Sequence, residues 1–120
     1  MPGSLLLVSA IGGESAEHGF VVHPTGLGEM LVTVTGEHDL ACRDGDRRLL
    51  LGLVARHDVV VVDVSHAEFV DVGFATTLLL AAESARSRGK ELRLRMGTAP
   101  EVRLVLEASG VLEALPCEEA

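Results

Sequence analysis

The sequence predicts an α/β fold, a single domain in which helices pack on a mixed β-sheet of about four to five strands. Three observations lead there. Apolar segments of strand period alternate with segments of helical period, and strands separated by helices need crossover connections. The run Val59-Val60-Val61-Val62 has the β-branched composition of a strand buried on both faces. A chain of 120 residues, 48% hydrophobic but only 2% aromatic, holds one core packed from Val, Leu and Ala, which suits helices lying on a sheet.

Each element follows from its own residues. Residues 1–19 combine Leu5-Leu6-Leu7-Val8 with Gly12-Gly13 and a polar stretch ending at Gly19, and read as an N-terminal extension, either a tail or an added edge strand. The strand is favoured, because leucines on a free tail invite aggregation. Phe20 to His23 and Met30 to Thr35 alternate as two strands of a hairpin, with Pro24-Thr25-Gly26-Leu27-Gly28 as the turn. The Gly26-Leu27-Gly28 fragment of a dinucleotide fingerprint is therefore a turn, since no helix follows it.

After Gly36-Glu37-His38-Asp39, residues Leu40, Leu49, Leu50, Leu53 and Val54 fit one apolar helical face, with Asp44 and Asp46 near its start where negative charge suits the helix dipole. The valine strand follows Arg56-His57-Asp58. From Gly73 to Arg88, Phe74, Thr77, Leu78, Ala81, Ala82 and Ala85 repeat with the period of an amphipathic helix that ends at Gly89. Leu92-Arg93-Leu94-Arg95-Met96 alternates as a strand whose arginines face water. Thr98 is expected to cap a last helix through a capping box with Glu101, with Pro100 in its first turn. Val102, Val105 and Leu106 face the core, Gly110 ends this helix, and Val111 to Leu115 packs before an acidic C-terminal tail, 117–120.

Charge and composition narrow the function. A net charge of −8, with Lys90 the one lysine beside nine arginines, argues against nucleic acid and against anionic membrane surfaces, and favours solubility or a basic protein partner. Cys42 and Cys117 lie far apart without CxxC spacing, so they are expected to be reduced thiols. Leu5 to Val8 lacks the basic flank and length of a signal peptide, and no run approaches a membrane span. The expected location is the cytoplasm.

Between the valine strand and the helix that follows lies a loop carrying Asp71, the kind of position where a scaffold presents functional groups. Asp39, Asp63 and Asp71 are the acidic candidates, and Asp39 and Asp71 each follow a strand and are placed at one sheet edge. Against catalysis, there is no nucleophile elbow, no HExxH and no phosphate loop after a strand. His38 and His66 match no ligand spacing and read as solvated loop residues, so no metal and no cofactor is expected. Ser65, Thr76 and Thr77 read as capping or packing hydroxyls.

These residues bear a family resemblance. Gly36-Glu37-His38-Asp39-Leu40 looks like a G-E-[LI]-D-L element, Val60-Val61-Val62-Asp63-Val64-Ser65 like V-V-L-D-L-S, and Phe69-Val70-Asp71-Val72-Gly73-Phe74 like F-[IM]-D-S-[ST]-G. Pro100-Glu101-Val102-Arg103-Leu104-Val105-Leu106 with Ser109-Gly110 resembles P-x-V-x-R-x-L and S-G-L. In order and at these separations they resemble a STAS domain, the fold of bacterial anti-sigma factor antagonists and of the cytoplasmic part of sulfate transporters. The resemblance implies a STAS-like domain over 20–116 without catalysis of its own.

It further implies docking on an anti-sigma factor, often a kinase, or on another regulatory protein, as a monomer or homodimer. Asp39, Asp71, Val72, Gly73, Phe74 and Thr76 are the partner-binding residues it points to. In the family a kinase phosphorylates the serine after the aspartate, and the added charge breaks the interface. Here Val72 holds the acceptor position, Gly73 the following Ser/Thr and Phe74 the glycine, so the ordinary switch is absent. The leading expectation is an antagonist or adaptor that docks without phosphorylation control. The alternatives are a scaffold or ligand-sensing STAS module, and a small acidic enzyme with a deep pocket joining Asp39 and Asp71.

Overall fold

The computed structural model describes residues 18–120. The expected strand at Leu5–Val8 lies outside them. The elements are β1 (His18–Gly26), β2 (Glu29–His38), a 3-10 turn (Leu40–Cys42), α1 (Arg43–Arg56), β3 (Val59–Asp63), β4 (Ala67–Val70) and α2 (Val72–Ser87). They continue with β5 (Glu91–Met96), α3 (Pro100–Ala108), α4 (Val111–Ala114) and β6 (Cys117–Glu119). One six-stranded sheet runs in the order β1-β2-β3-β5-β6, and β4 pairs with β2. It is the mixed α/β sheet expected, with β4 and β6 as strands beyond those expected.

β1 and β2 form the antiparallel hairpin, and the positive φ of 73° at Gly28 makes its turn. The remaining pairings are parallel. Along β2 and β5 the side chains alternate strictly: Met30, Val32, Val34, Leu92, Leu94 and Met96 are buried, while their neighbours are partly exposed. The helices therefore cover one face. Val60 and Val62 join that core. Val61 points the other way, between the β-partners Leu31 and Arg93, and is shielded there, so the valine strand is buried on both faces as expected.

α2 lies at the centre of the helical layer, with Phe74, Ala75, Thr77, Leu78, Ala81, Ala82 and Ala85 buried. Its alanines let α1 and the sheet approach closely. α1 contributes Leu50, Leu53 and Val54, α3 contributes Val102 and Leu106, and Val111 and Leu115 close the core.

Several expectations are corrected. Leu40 sits on the 3-10 turn and is 65% exposed, so it is not on the apolar face of α1. Asp46 does lie in the first turn of α1 as expected, and its side chain is in addition buried against His38. α3 is capped by Ala99 with no side-chain bond, so Thr98 forms no capping box. Pro100 at the first helical position holds Ala99 extended. The 117–120 segment is more than a tail. Its residues 117–119 pair with Leu94, Arg95 and Met96, and Arg95 reaches Glu118 at 2.8 Å while Arg103 reaches Glu119 at 3.2 Å. Arg95 of β5 and Arg103 of α3 thus hold a strand edge, while Arg93 pairs with Glu91 of its own strand.

Candidate functional site

β3 pairs along the first part of β2, and β4 pairs with Gly36, Glu37 and His38 at its end. This second pairing brings the two acidic loops together: the Asp71 N–H donates to the His38 carbonyl at 3.1 Å, one residue before Asp39. Asp39 and Asp71 therefore do share one sheet edge.

Each carboxylate is occupied by its own turn. Asp71 Oδ1 accepts from the Phe74 N–H at 2.8 Å and so caps α2. Asp39 Oδ1 accepts from the Ala41 N–H at 3.0 Å and caps the 3-10 turn. Asp63, at the end of β3, is buried and accepts from Ser65 Oγ at 2.6 Å and the Ser65 N–H at 2.9 Å. Ser65 and Thr77 are a turn hydroxyl and a buried packing hydroxyl, as expected.

With α2 capped, its first residue is presented outward. Val72 is 64% exposed. Thr76, one turn on, is exposed and donates its hydroxyl to the Val72 carbonyl at 3.0 Å. Gly73 lies under the side chain of Arg43 of α1: a methyl added there would stand 3.1 Å from Nε. Phe74 is a correction. It is buried at 3% exposure and cannot touch a partner; it anchors the surface from beneath.

The anchor is built on a residue expected to be solvated. His38 is 1% exposed, its ring tilted against Phe74 at a centroid distance of 5.3 Å and edge-on to Phe20 at 5.0 Å. Its Nε2 meets the Thr35 carbonyl at 3.0 Å and its Nδ1 meets Asp46 Oδ2 at 2.8 Å. A carbonyl only accepts, so Nε2 carries a proton toward Thr35, while Nδ1 faces the Asp46 carboxylate. One side chain therefore ties the end of β2 to α1 through Asp46 and to α2 through Phe74.

Beside this anchor an open groove of ≈ 330 Å³ is lined by Arg43, Arg47, Val72, Gly73, Thr76, Thr77 and Leu80. Neither Asp39 nor Asp71 lines it. Cys42 lies close by, but its thiol is raised above its ordinary pKa, first by burial and then by the charges of Asp46, Asp39 and Asp71. It is a neutral thiol and a poor nucleophile. Among the described residues, no group of three His, Cys, Asp or Glu side chains is placed to hold a metal ion, and no helix is long and apolar enough to cross a membrane.

Arg43, Arg47, Leu80 and the His38–Asp46 pair are the residues sequence reasoning missed. The pair had a signal. His38 continues the inward register of Met30, Val32 and Val34, and Asp46 stands four residues before Leu50 on the apolar face of α1.

Comparison with known proteins gives the class of this fold. The family model described as "Mlab, STAS domain" matches residues 25–116, and the chain belongs to that family. Among solved structures, an anti-sigma factor antagonist from Mycobacterium paratuberculosis superposes with a TM-score of 0.76 at 19% identity, covering 87% of each chain. The anti-sigma factor antagonist SpoIIAA in its unphosphorylated form gives a TM-score of 0.73 at 15% identity, covering 85% of this chain and 88% of its own. The phosphorylated form of the Bacillus SpoIIAA gives 0.67 at 14% identity, over 85% and 91%. At these identities the likeness is one of fold. No curated protein matches the chain.

Proposed function

We propose that this STAS domain is a non-catalytic docking module that binds a regulatory protein, in the first instance a kinase-type anti-sigma factor, through the start of α2. The observation that carries the reading is Val72. It stands 64% exposed at the first position of a helix capped by Asp71, where the family resemblance leads one to expect a phosphorylatable serine. An apolar side chain held outward there has no solvation to gain and is suited to burial against a partner. Neither Val72 nor Gly73 has a hydroxyl, so the surface stays competent without a phosphorylation cycle. Asp39 and Asp71 support the surface as caps, while Val72, Gly73 and Thr76 form it. The proposed location is the cytoplasm, where such partners act.

The test is to mix the protein with candidate kinase-type anti-sigma factors and ATP. Expected is a complex that ATP leaves intact, with no phosphate on this chain. Phosphate incorporated here, or binding that ATP abolishes, overturns the reading. A second reading, an adaptor within another multiprotein complex, is favoured by the family description, which names Mlab and not an antagonist. It predicts a stable complex through the same surface with no affinity for anti-sigma factors.

A further inference from the structure

We infer that the occupant of the groove between α1 and α2 is an acidic, amphipathic helix of the partner; this rests on the docking reading above and names the partner's chemistry. Val72, Thr76 and Leu80 recur at every fourth residue of α2, so they form one stripe, roughly 12 Å long at 1.5 Å per residue. All three are exposed, and the ends of the stripe are apolar. That length matches about two turns of a guest helix laid along α2, with apolar side chains two turns apart meeting Val72 and Leu80.

The opposite wall is basic. Arg43 and Arg47 are one turn apart on α1, both exposed, and neither makes an ion pair among the described residues. The arginines of β5 and α3, by contrast, are each paired with a carboxylate. The absent Cβ of Gly73 leaves room for the Arg43 side chain across the first turn of α2, which places the guanidinium beside the apolar stripe. On a chain of net charge −8, two arginines without ion pairs flanking the exposed Val72 make this groove a local reversal of sign. Such a reversal orients and selects an acidic partner. Carboxylates one turn apart on the guest's flank match the roughly 6 Å rise between Arg43 and Arg47. A polyanion such as nucleic acid fits poorly, because the stripe is apolar and the rest of the surface repels it.

The test selects binders to the full chain from a library displaying helical peptides randomised at surface positions. Expected are enriched helices with an apolar stripe flanked by Asp and Glu one turn apart. Their affinity falls at least tenfold on R43E/R47E and on Val72→Glu, and it weakens as salt rises. Both arginines are exposed, so an unchanged thermal midpoint verifies that R43E/R47E folds. Enriched helices that are neutral or basic, or that bind R43E/R47E as tightly as the parent, overturn the acidic occupant; if Val72→Glu still releases them, the docking reading stands. Helices indifferent to both variants, or a selection that enriches none, overturn the inference and the docking reading together.

Discussion

The buried His38–Asp46 pair makes a quantitative prediction, because its two halves fail differently when separated. His38→Leu removes the ring nitrogen that faces Asp46 at 2.8 Å and leaves a carboxylate of 5% exposure without its partner. Breaking a buried pair in this way costs about 3–5 kcal/mol. Thr35 loses its Nε2 donor as well. Asp46→Leu is milder, because the imidazole keeps its bond to Thr35; the loss is one hydrogen bond to a carboxylate, roughly 1.5–3 kcal/mol. The double variant His38→Leu/Asp46→Leu removes the unpaired charge and should recover most of the loss, falling short of the parent by the missing Thr35 bond, roughly 0.5–1.5 kcal/mol. For a domain of this size 3 kcal/mol lowers Tm by roughly 12 °C or more. The chain has no Trp and no Tyr, so urea unfolding is best followed by far-UV circular dichroism. The reasoning is refuted if His38→Leu costs less than Asp46→Leu, or if the double variant is no more stable than the worse single one.

Three further outcomes are expected. Asp71→Ala removes the cap of α2 and should cost about 1 kcal/mol, whereas Val72→Glu puts an anion at the favourable end of the helix dipole and should leave stability unchanged while abolishing partner binding; paired denaturation and binding titrations separate the two. Gly73→Ala gains helix propensity but crowds the Arg43 side chain at 3.1 Å and the capping Asp71 Oδ1 at 3.2 Å, so it should stabilise by less than the roughly 1 kcal/mol of propensity; a measured loss of stability would show that the cap or Arg43 is held rigidly. Burial raises the thiols of Cys42 and Cys117, so both should alkylate with iodoacetamide more slowly than a free cysteine at pH 8, the rate climbing only at pH above the ordinary thiol range of about 8.5. Fast labelling of Cys42 at neutral pH would contradict this.

Periodicity made most of the fold legible. The alternation of β2 and β5 and the 3.6-residue repeat of α2 predict which side chains are buried there. What escaped lacks periodicity. β6 is only Cys117–Glu119, exposed throughout, and exists because Arg95 and Arg103 receive its glutamates, a pairing between distant positions that no local pattern records. β4 is similarly short, and its pairing with the last residues of β2 is what brings Asp71 next to His38. For the site, the motif order located the loop and the exposed valine. It could not separate surface from support: Phe74 points inward because the first turn of α2 lies over the His38 ring, and Arg43 joins the groove only because α1 packs beside α2.

That separation explains how a STAS domain dispenses with its serine. Capping asks only for an acceptor at position 71, and the hydrogen bond from the Phe74 N–H to Asp71 forms whatever side chain stands at 72. The anchor beneath asks for packing at 74 and for a tie between β2 and α1, which Phe74 and the His38–Asp46 pair supply. Position 72 bears on neither, because its side chain leaves the protein. On the docking reading proposed above, a hydroxyl there would add a switch and a valine adds contact area, on the same scaffold. On that reading stability and docking fall to different residues, and a variant of Val72 tests function without confounding it with folding, which a variant of Asp71 cannot do.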